Sequence, residues 1–165
     1  MVLIINSKLL TGKKPPEEIK DNDKLNELKA LKSEKYKMIK TTTPFHCITQ
    51  WSRMVNHWEG IPFKEIYELA KPKPEAIYVM IHSYGGYSTN LDLQTLLEEN
   101  VILAHIHDGS ILSPEHGYPL RLVVPNRYGW KSAKWISKIE FTNNNLPGFW
   151  ESREAEADFL LDNTI

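Results

Sequence analysis

The chain has 165 residues, of which 41% are apolar, 10% aromatic and 25% charged, the composition of a folded globular domain with a sizeable core. Lys+Arg 20 against Asp+Glu 21 leaves a net charge of -1, so there is no global basic field for nucleic acid or an anionic membrane. The single cysteine, Cys47, excludes an internal disulfide framework and a multi-cysteine zinc or iron–sulfur site.

In chain order, Val2 to Ile5 predicts a short strand, and the Met1-to-Asn6 start lacks the basic segment and length of an export signal. No apolar run approaches the roughly 20 residues needed to cross a bilayer. The expectation is a cytoplasmic protein with neither a membrane nor a nucleic-acid partner. Lys13-Lys14-Pro15-Pro16-Glu17-Glu18 reads as a loop entering a helix, and Leu25, Leu28 and Leu31 predict an amphipathic helix with a solvated charged face. Tyr36 to Thr43 is β-prone. Gly60-Ile61-Pro62 is expected to open a helix through Ala70, with Phe63, Ile66 and Leu69 on one face, stopped by Lys71-Pro72-Lys73-Pro74.

Ile77 to Ile81 predicts a buried strand ending at the polar His82-Ser83-Tyr84-Gly85-Gly86-Tyr87. Ser88 or Thr89 is expected to cap a helix from Leu91 to Glu98. Val101 to Ile106, Leu120 to Val124 and Trp135 to Phe141 predict further strands, with a turn at Asp108-Gly109. Strands and short helices alternate irregularly, which predicts an α+β fold with mixed β-sheets and short helices in a single domain over residues 1–165.

Two constellations could carry chemistry. Cys47 lies in Phe45-His46-Cys47-Ile48-Thr49-Gln50-Trp51-Ser52. It could be a nucleophile, which needs a base in reach, or a zinc ligand, which needs companions that the six histidines do not supply at any standard spacing. It could also be a single thiolate to a soft metal already carried by an organic cofactor, or an inert buried thiol. The second constellation, Arg121 with Asn126-Arg127-Tyr128-Gly129-Trp130-Lys131-Ser132-Ala133-Lys134, offers cations, a hydroxyl and backbone N–H groups after a strand. That set can hold a phosphate or pyrophosphate, although it matches neither a P-loop nor a dinucleotide fingerprint, and a solvated basic turn is the plainer reading. His105 and His107 lie on a predicted strand, and their rings are expected on opposite faces, unable to share one metal.

Taken together, several segments resemble the molybdopterin-binding domain of the sulfite oxidase family, most closely its short single-domain prokaryotic members. These are Phe45 to Ser52, Trp58-Glu59-Gly60-Ile61-Pro62-Phe63, His82 to Leu91, Leu112 to Pro125, and Tyr128-Gly129-Trp130-Lys131-Ser132-Ala133-Lys134-Trp135. The likeness runs from residue 45 to residue 150, in the family's order. It implies a molybdopterin cofactor carrying molybdenum, with Cys47 matching the family's metal-binding cysteine. The same resemblance places His116 and Arg121 at cofactor contacts, Lys131, Ser132 and Lys134 in the Lys-Ser-x-Lys turn that binds the cofactor phosphate, and Ser83 at a further cofactor-contacting position.

The resemblance therefore implies an oxidoreductase that transfers an oxygen atom at a thiolate-ligated molybdenum. A small-molecule substrate and an external electron donor or acceptor protein are its implied partners. Three departures stand out: the family's N-terminal arm is expected to be absent, Ala155 stands where the family carries a tyrosine, and the tail from Glu154 to Asp158 is acidic. They leave open an alternative, a reduced, non-catalytic family member acting as a binding module. Thiol chemistry at Cys47 with a histidine base is a third possibility.

Overall fold

A computed structural model describes the short strand β1 (Val2–Leu3) and residues 37–153. The expected helix around Leu25, Leu28 and Leu31 lies outside the described residues. Two antiparallel sheets carry the fold. One has the order β1-β9-β4-β5, where β4 is Tyr78–Ser83, β5 is Ser88–Asp92 and β9 is Ile136–Thr142. The other joins β2 (Ile39–His46), β3 (Ser52–Pro62), β6 (Ile102–His107) and β7 (Ser110–Ile111), with β8 (Arg121–Val123) also pairing β6. The expected class, β-sheets with short helices, is what forms, and every described strand pairing is antiparallel.

The buried strands follow from apolar runs. Val79, Met80 and Ile81 of β4 and Ile102, Leu103 and Ala104 of β6 are all buried, which requires cover on both faces. One cluster supplies much of it by joining both sheets through Val79, Ile81, Leu103, Leu120, Leu122, Ile136, Ile139 and Phe141. A second, smaller cluster of Trp58, Ile102, Ala104, Leu112, Tyr118 and Val123 includes residues of the second sheet. Asp108 and Gly109 both have positive φ, 49 and 78, the mirror-image turn that matches the twist of the β6–β7 hairpin.

Several expectations need correction. Helix α1 (Phe63–Ala70) buries Phe63, Ile66 and Ala70, whereas Leu69 is 55% exposed. The buried face follows the i, i+3, i+7 rows of a 3.6-residue turn, from which a strict three-residue spacing drifts away. The expected helix from Leu91 to Glu98 is only one short turn, α2 (Leu93–Leu96). Ser88 and Thr89 belong to β5, and the cap is Asp92, whose carboxylate accepts from Thr95 N at 2.7 Å. Gly60, Ile61 and Pro62 lead into the expected helix, with Pro62 as its N-cap, but they also end the long strand β3, which the pattern did not announce. The first four residues of that strand are exposed, so it shows no regular in–out alternation.

Candidate functional site

The β2–β3 hairpin presents Cys47 at its tip. Cys47 N donates to Trp51 O at 2.9 Å, Gln50 N donates to Cys47 O at 3.0 Å, and Gln50 closes the turn with φ 67. The thiol is half-buried, with the Thr49 hydroxyl 3.1 Å from Sγ. That hydroxyl can donate to a thiolate. Among the described residues no group of three or more His, Cys, Asp or Glu is arranged to hold a metal ion, so Cys47 offers one sulfur donor and no cage.

Beside the hairpin lies a cavity of about 490 Å³. Phe45 and Trp51, which flank Cys47 in sequence and lie 5.9 Å apart by ring centroids, form part of its wall. Trp130, Trp135 and Trp150 join Trp51, so four of the chain's five tryptophans line it. The polar side is His116, Arg121, Ser132 and Lys134, with Glu115 at its margin. Four residues expected from the sequence to contact a cofactor therefore meet in one cavity.

Chain geometry explains how they meet. Arg121 opens β8, and Lys134 follows the 3-10 turn Gly129–Lys131. Gly117 lies between the stems of these two cations: a Cβ there would sit 3.0 Å from the Cβ of each. The Arg121 guanidinium donates to His116 O at 3.1 Å and Ser132 O at 3.3 Å, and its carbon lies 5.6 Å from the Phe45 ring centroid and 5.1 Å from that of Trp58. Ser132 Oγ accepts from Val124 N at 3.0 Å, leaving its own proton to donate. His116 Nδ1 is 2.7 Å from Ser113 Oγ. Lys134 Nζ donates to Glu115 O at 2.9 Å and lies over Trp135.

The electrostatics are lopsided. Arg121 is only 6% exposed, its Nε has no hydrogen-bond partner, and no described carboxylate forms an ion pair with it. Burial pushes its pKa down to about 10. Lys134 is also lowered, first by burial and then by the Arg121 charge, with Glu115 opposing. A buried cation such as Arg121, without a partner charge, is expensive unless an anion completes it. The residues present therefore fit an anionic group such as a cofactor phosphate.

Three expected site residues do not line the cavity: Cys47 sits beside it, on the hairpin whose Phe45 and Trp51 do, and Lys131 and Ser83 lie elsewhere. Lys131 is 1% exposed and is not part of the lining; its ammonium donates to Asn90 and Glu151 and lies 4.7 Å from the ring centroid of Trp130. Ser83 ends β4 with a buried hydroxyl that has no partner. Its N–H donates at 2.8 Å to the carbonyl of Tyr87, and the Tyr87 side chain does line the cavity.

The histidine reading needs a correction of principle. Residues i and i+2 of a regular strand share a face, so alternation is not what separates His105 from His107. Their partners do. His105 Nδ1 is 2.7 Å from Pro119 O, and His107 Nε2 is 3.1 Å from Asn56 Oδ1 while its ring stacks on Trp58. Sequence reasoning also missed the aromatic wall, for which the five tryptophans were the available signal, and it missed Glu151.

Comparison with known proteins identifies the family and the fold. The model of the oxidoreductase molybdopterin binding domain matches residues 18–150. The chain belongs to this family. Its members are oxidoreductases that bind molybdopterin, in agreement with the resemblance read from the sequence. Within this molybdopterin-binding family, the chain is 52% identical over 106 residues to the uncharacterized oxidoreductase YuiH of Bacillus subtilis (strain 168), covering 64% of this chain and 54% of that protein. It is 34% identical over 125 residues to the protein-methionine-sulfoxide reductase catalytic subunit MsrP of Campylobacter jejuni, covering 66% and 42%. The chain thus spans about half, or less, of the curated relatives it matches. The sulfane dehydrogenase SoxCD from Paracoccus pantotrophus shares the fold, with a TM-score of 0.63 at 21% identity over 73% of this chain and 35% of that one. Among the described residues no helix is long and apolar enough to cross a membrane.

Proposed function

We propose that this molybdopterin-binding chain is an oxygen-atom-transfer oxidoreductase module whose cofactor lies in the aromatic cavity, with Cys47 as the protein's ligand to molybdenum. The observation that carries the reading is Arg121, a buried, unpaired cation beside Lys134 in the lining of a cavity that Phe45 and Trp51 of the Cys47 hairpin also line, with Phe45 against the guanidinium. Arg121 and Lys134 neutralise the cofactor phosphate, the Ser132 hydroxyl donates to it, and His116 orients the pterin end. Ser83, with its buried unpartnered hydroxyl, is assigned a supporting contact beside Tyr87.

When bound, molybdenum supplies two-electron oxygen-atom transfer, and a thiolate is a soft, strongly donating ligand suited to it. The chain's own groups hold and orient. Thr49 donates to the Cys47 thiolate, while Trp51, Trp130, Trp135 and Trp150 supply an apolar, aromatic wall for the cofactor. The protein-methionine-sulfoxide and nitrate reductases among the relatives act on substrates that lose an oxygen atom, consuming two electrons and two protons and leaving water. A small oxo-bearing substrate and an external electron donor protein follow by analogy.

The test is the pterin and molybdenum content of protein purified from a cofactor-producing host, compared between wild type and Arg121→Met. Met keeps the volume and removes the charge. The expected result is loss of at least tenfold in pterin per folded protein. A fully loaded Arg121→Met would defeat the proposal, and a wild type empty of pterin would favour the binding-module alternative.

A further inference from the structure

The basic stretch contains two cations that the reading above does not use: Arg127, held by Asp92 and Thr95, and the buried Lys131. The Lys131 and Glu151 side chains are 2% and 5% exposed, and Nζ lies 2.8 Å from Glu151 Oε1. Lys131 Nζ also donates to Asn90 O at 2.7 Å and to Asn90 Oδ1 at 3.1 Å. An ammonium has three N–H donors, and here three acceptors take them. None is left for a phosphate oxygen.

Glu151 is engaged through one oxygen, Oε1, while its Oε2 is buried without a hydrogen-bond partner. The same Oε1 accepts from Thr89 Oγ1 at 2.8 Å and from Asn90 N at 3.1 Å. The pair thus ties together three stretches distant in sequence: the turn Gly129–Lys131, strand β5, and the 3-10 turn Glu151–Arg153. Two bonds run parallel to it, from Phe149 N to Ser88 O at 2.8 Å and from Tyr87 OH to Trp130 O. The chain neighbours of the pair line the cavity: Trp130 and Ser132 flank Lys131, and Trp150 precedes Glu151. A buried ion pair is a poor source of net stability, and its best-attested use is to fix one arrangement among several.

We propose that Lys131–Glu151 is an internal clasp that positions Ser132, Lys134 and Trp150 around the anion end of the cavity, and that Lys131 makes no direct contact with the bound anion. Both are positioning residues. The inference rests on the reading that the cavity holds molybdopterin.

Lys131→Met, Glu151→Gln and the double variant, purified from a cofactor-producing host, separate the two roles. The readouts are pterin per folded protein and the thermal midpoint. A lone Lys131→Met leaves a buried carboxylate without its cation, and a loss of at least tenfold in pterin is expected. Adding Glu151→Gln neutralises that carboxylate while leaving an amide oxygen to accept from Thr89 Oγ1 and Asn90 N, so that, with the Tyr87 OH bond to Trp130 O, the three stretches stay tied. The double variant is therefore expected to recover loading to within about threefold of wild type and to recover most of the lost thermal midpoint.

A double variant as empty as Lys131→Met would show Lys131 acting on the anion directly and overturn the clasp. A fully loaded Lys131→Met would overturn it too, since the pair would then position nothing. Should Lys131→Met fail to fold, the double variant decides alone: folded and loaded supports the clasp, while folded and empty, or unfolded, overturns it. Arg121→Met run alongside tests the cofactor reading itself. If that variant keeps its pterin, the cofactor assignment falls, and the clasp is judged by whether the two single substitutions are non-additive in thermal midpoint.

Discussion

Gly129→Ala isolates how tightly the Cys47 hairpin is seated on the cavity. Gly129 does not have a positive φ, so its backbone accepts alanine, and the stiffer unfolded chain alone would favour the variant by about 0.4–1 kcal/mol. Against that, a Cβ at this position would lie 2.1 Å from Phe45 Cζ and 2.5 Å from Cε1, where carbon atoms normally keep about 3.5–4.0 Å. The ring tip must retreat by more than an ångström, yet it is held by Trp51 on its own hairpin and by the Arg121 guanidinium. Overpacking of this kind costs about 1–3 kcal/mol, which leaves a net destabilisation between about 0 and 2.6 kcal/mol, centred at about 1–2 kcal/mol. For a chain of this size that corresponds to a fall of about 2–8 °C in Tm, read by calorimetry on the cofactor-free protein. Phe45→Leu in the same background removes the obstructing atoms and should return part of the loss. A Gly129→Ala protein that melts above wild type would refute the close seating of Phe45 against this turn.

His105 gives a pH prediction. Burial lowers its pKa below 6.5, with the Pro119 carbonyl acting in the opposite direction, so the unfolded chain takes up the proton first. Its contribution is therefore fully present above pH 6.5 and is lost as pH falls from there toward the folded pKa, with a slope of up to about 1.4 kcal/mol per pH unit. His107, also lowered first by burial, adds to the slope. Denaturant titrations between pH 8 and pH 5 should show a shallower acid loss in His105→Gln than in wild type, and an identical pH dependence would contradict the buried neutral imidazole. Asp92→Ala removes the cap of α2 together with its bonds to Thr95 N, Thr95 Oγ1 and Arg127. It should cost about 1–2 kcal/mol in chemical denaturation, whereas a change below a few tenths would mean that the cap is idle.

What was legible in the sequence was local. The apolar runs of β4, β6 and β9 announced themselves, as did the Asp108–Gly109 turn and the concentration of cations after β8, because each depends on neighbours within a few residues. Which cation faces the cavity was not legible. Lys131 and Lys134 are equivalent on paper, and the choice is made by Glu151 and Asn90, which reach Lys131 from other elements. What suits Arg121 to an anion is its burial and its lack of a partner charge, both properties of the assembled fold. The missed strand β3 has an exposed first half that carries no alternation, so only its pairing with β2 and β6 reveals it. Helix α2 was overextended because Ser88 and Thr89 look like caps while serving as strand residues in β5.

The central claim is that Cys47 is the protein's ligand to a molybdenum held in the cavity beside it. X-ray absorption at the molybdenum edge, on protein loaded in a cofactor-producing host, tests it most directly by counting sulfur neighbours in wild type and in Cys47→Ala. The account predicts one sulfur neighbour fewer in the variant, with pterin still present. An unchanged sulfur shell in Cys47→Ala would contradict it.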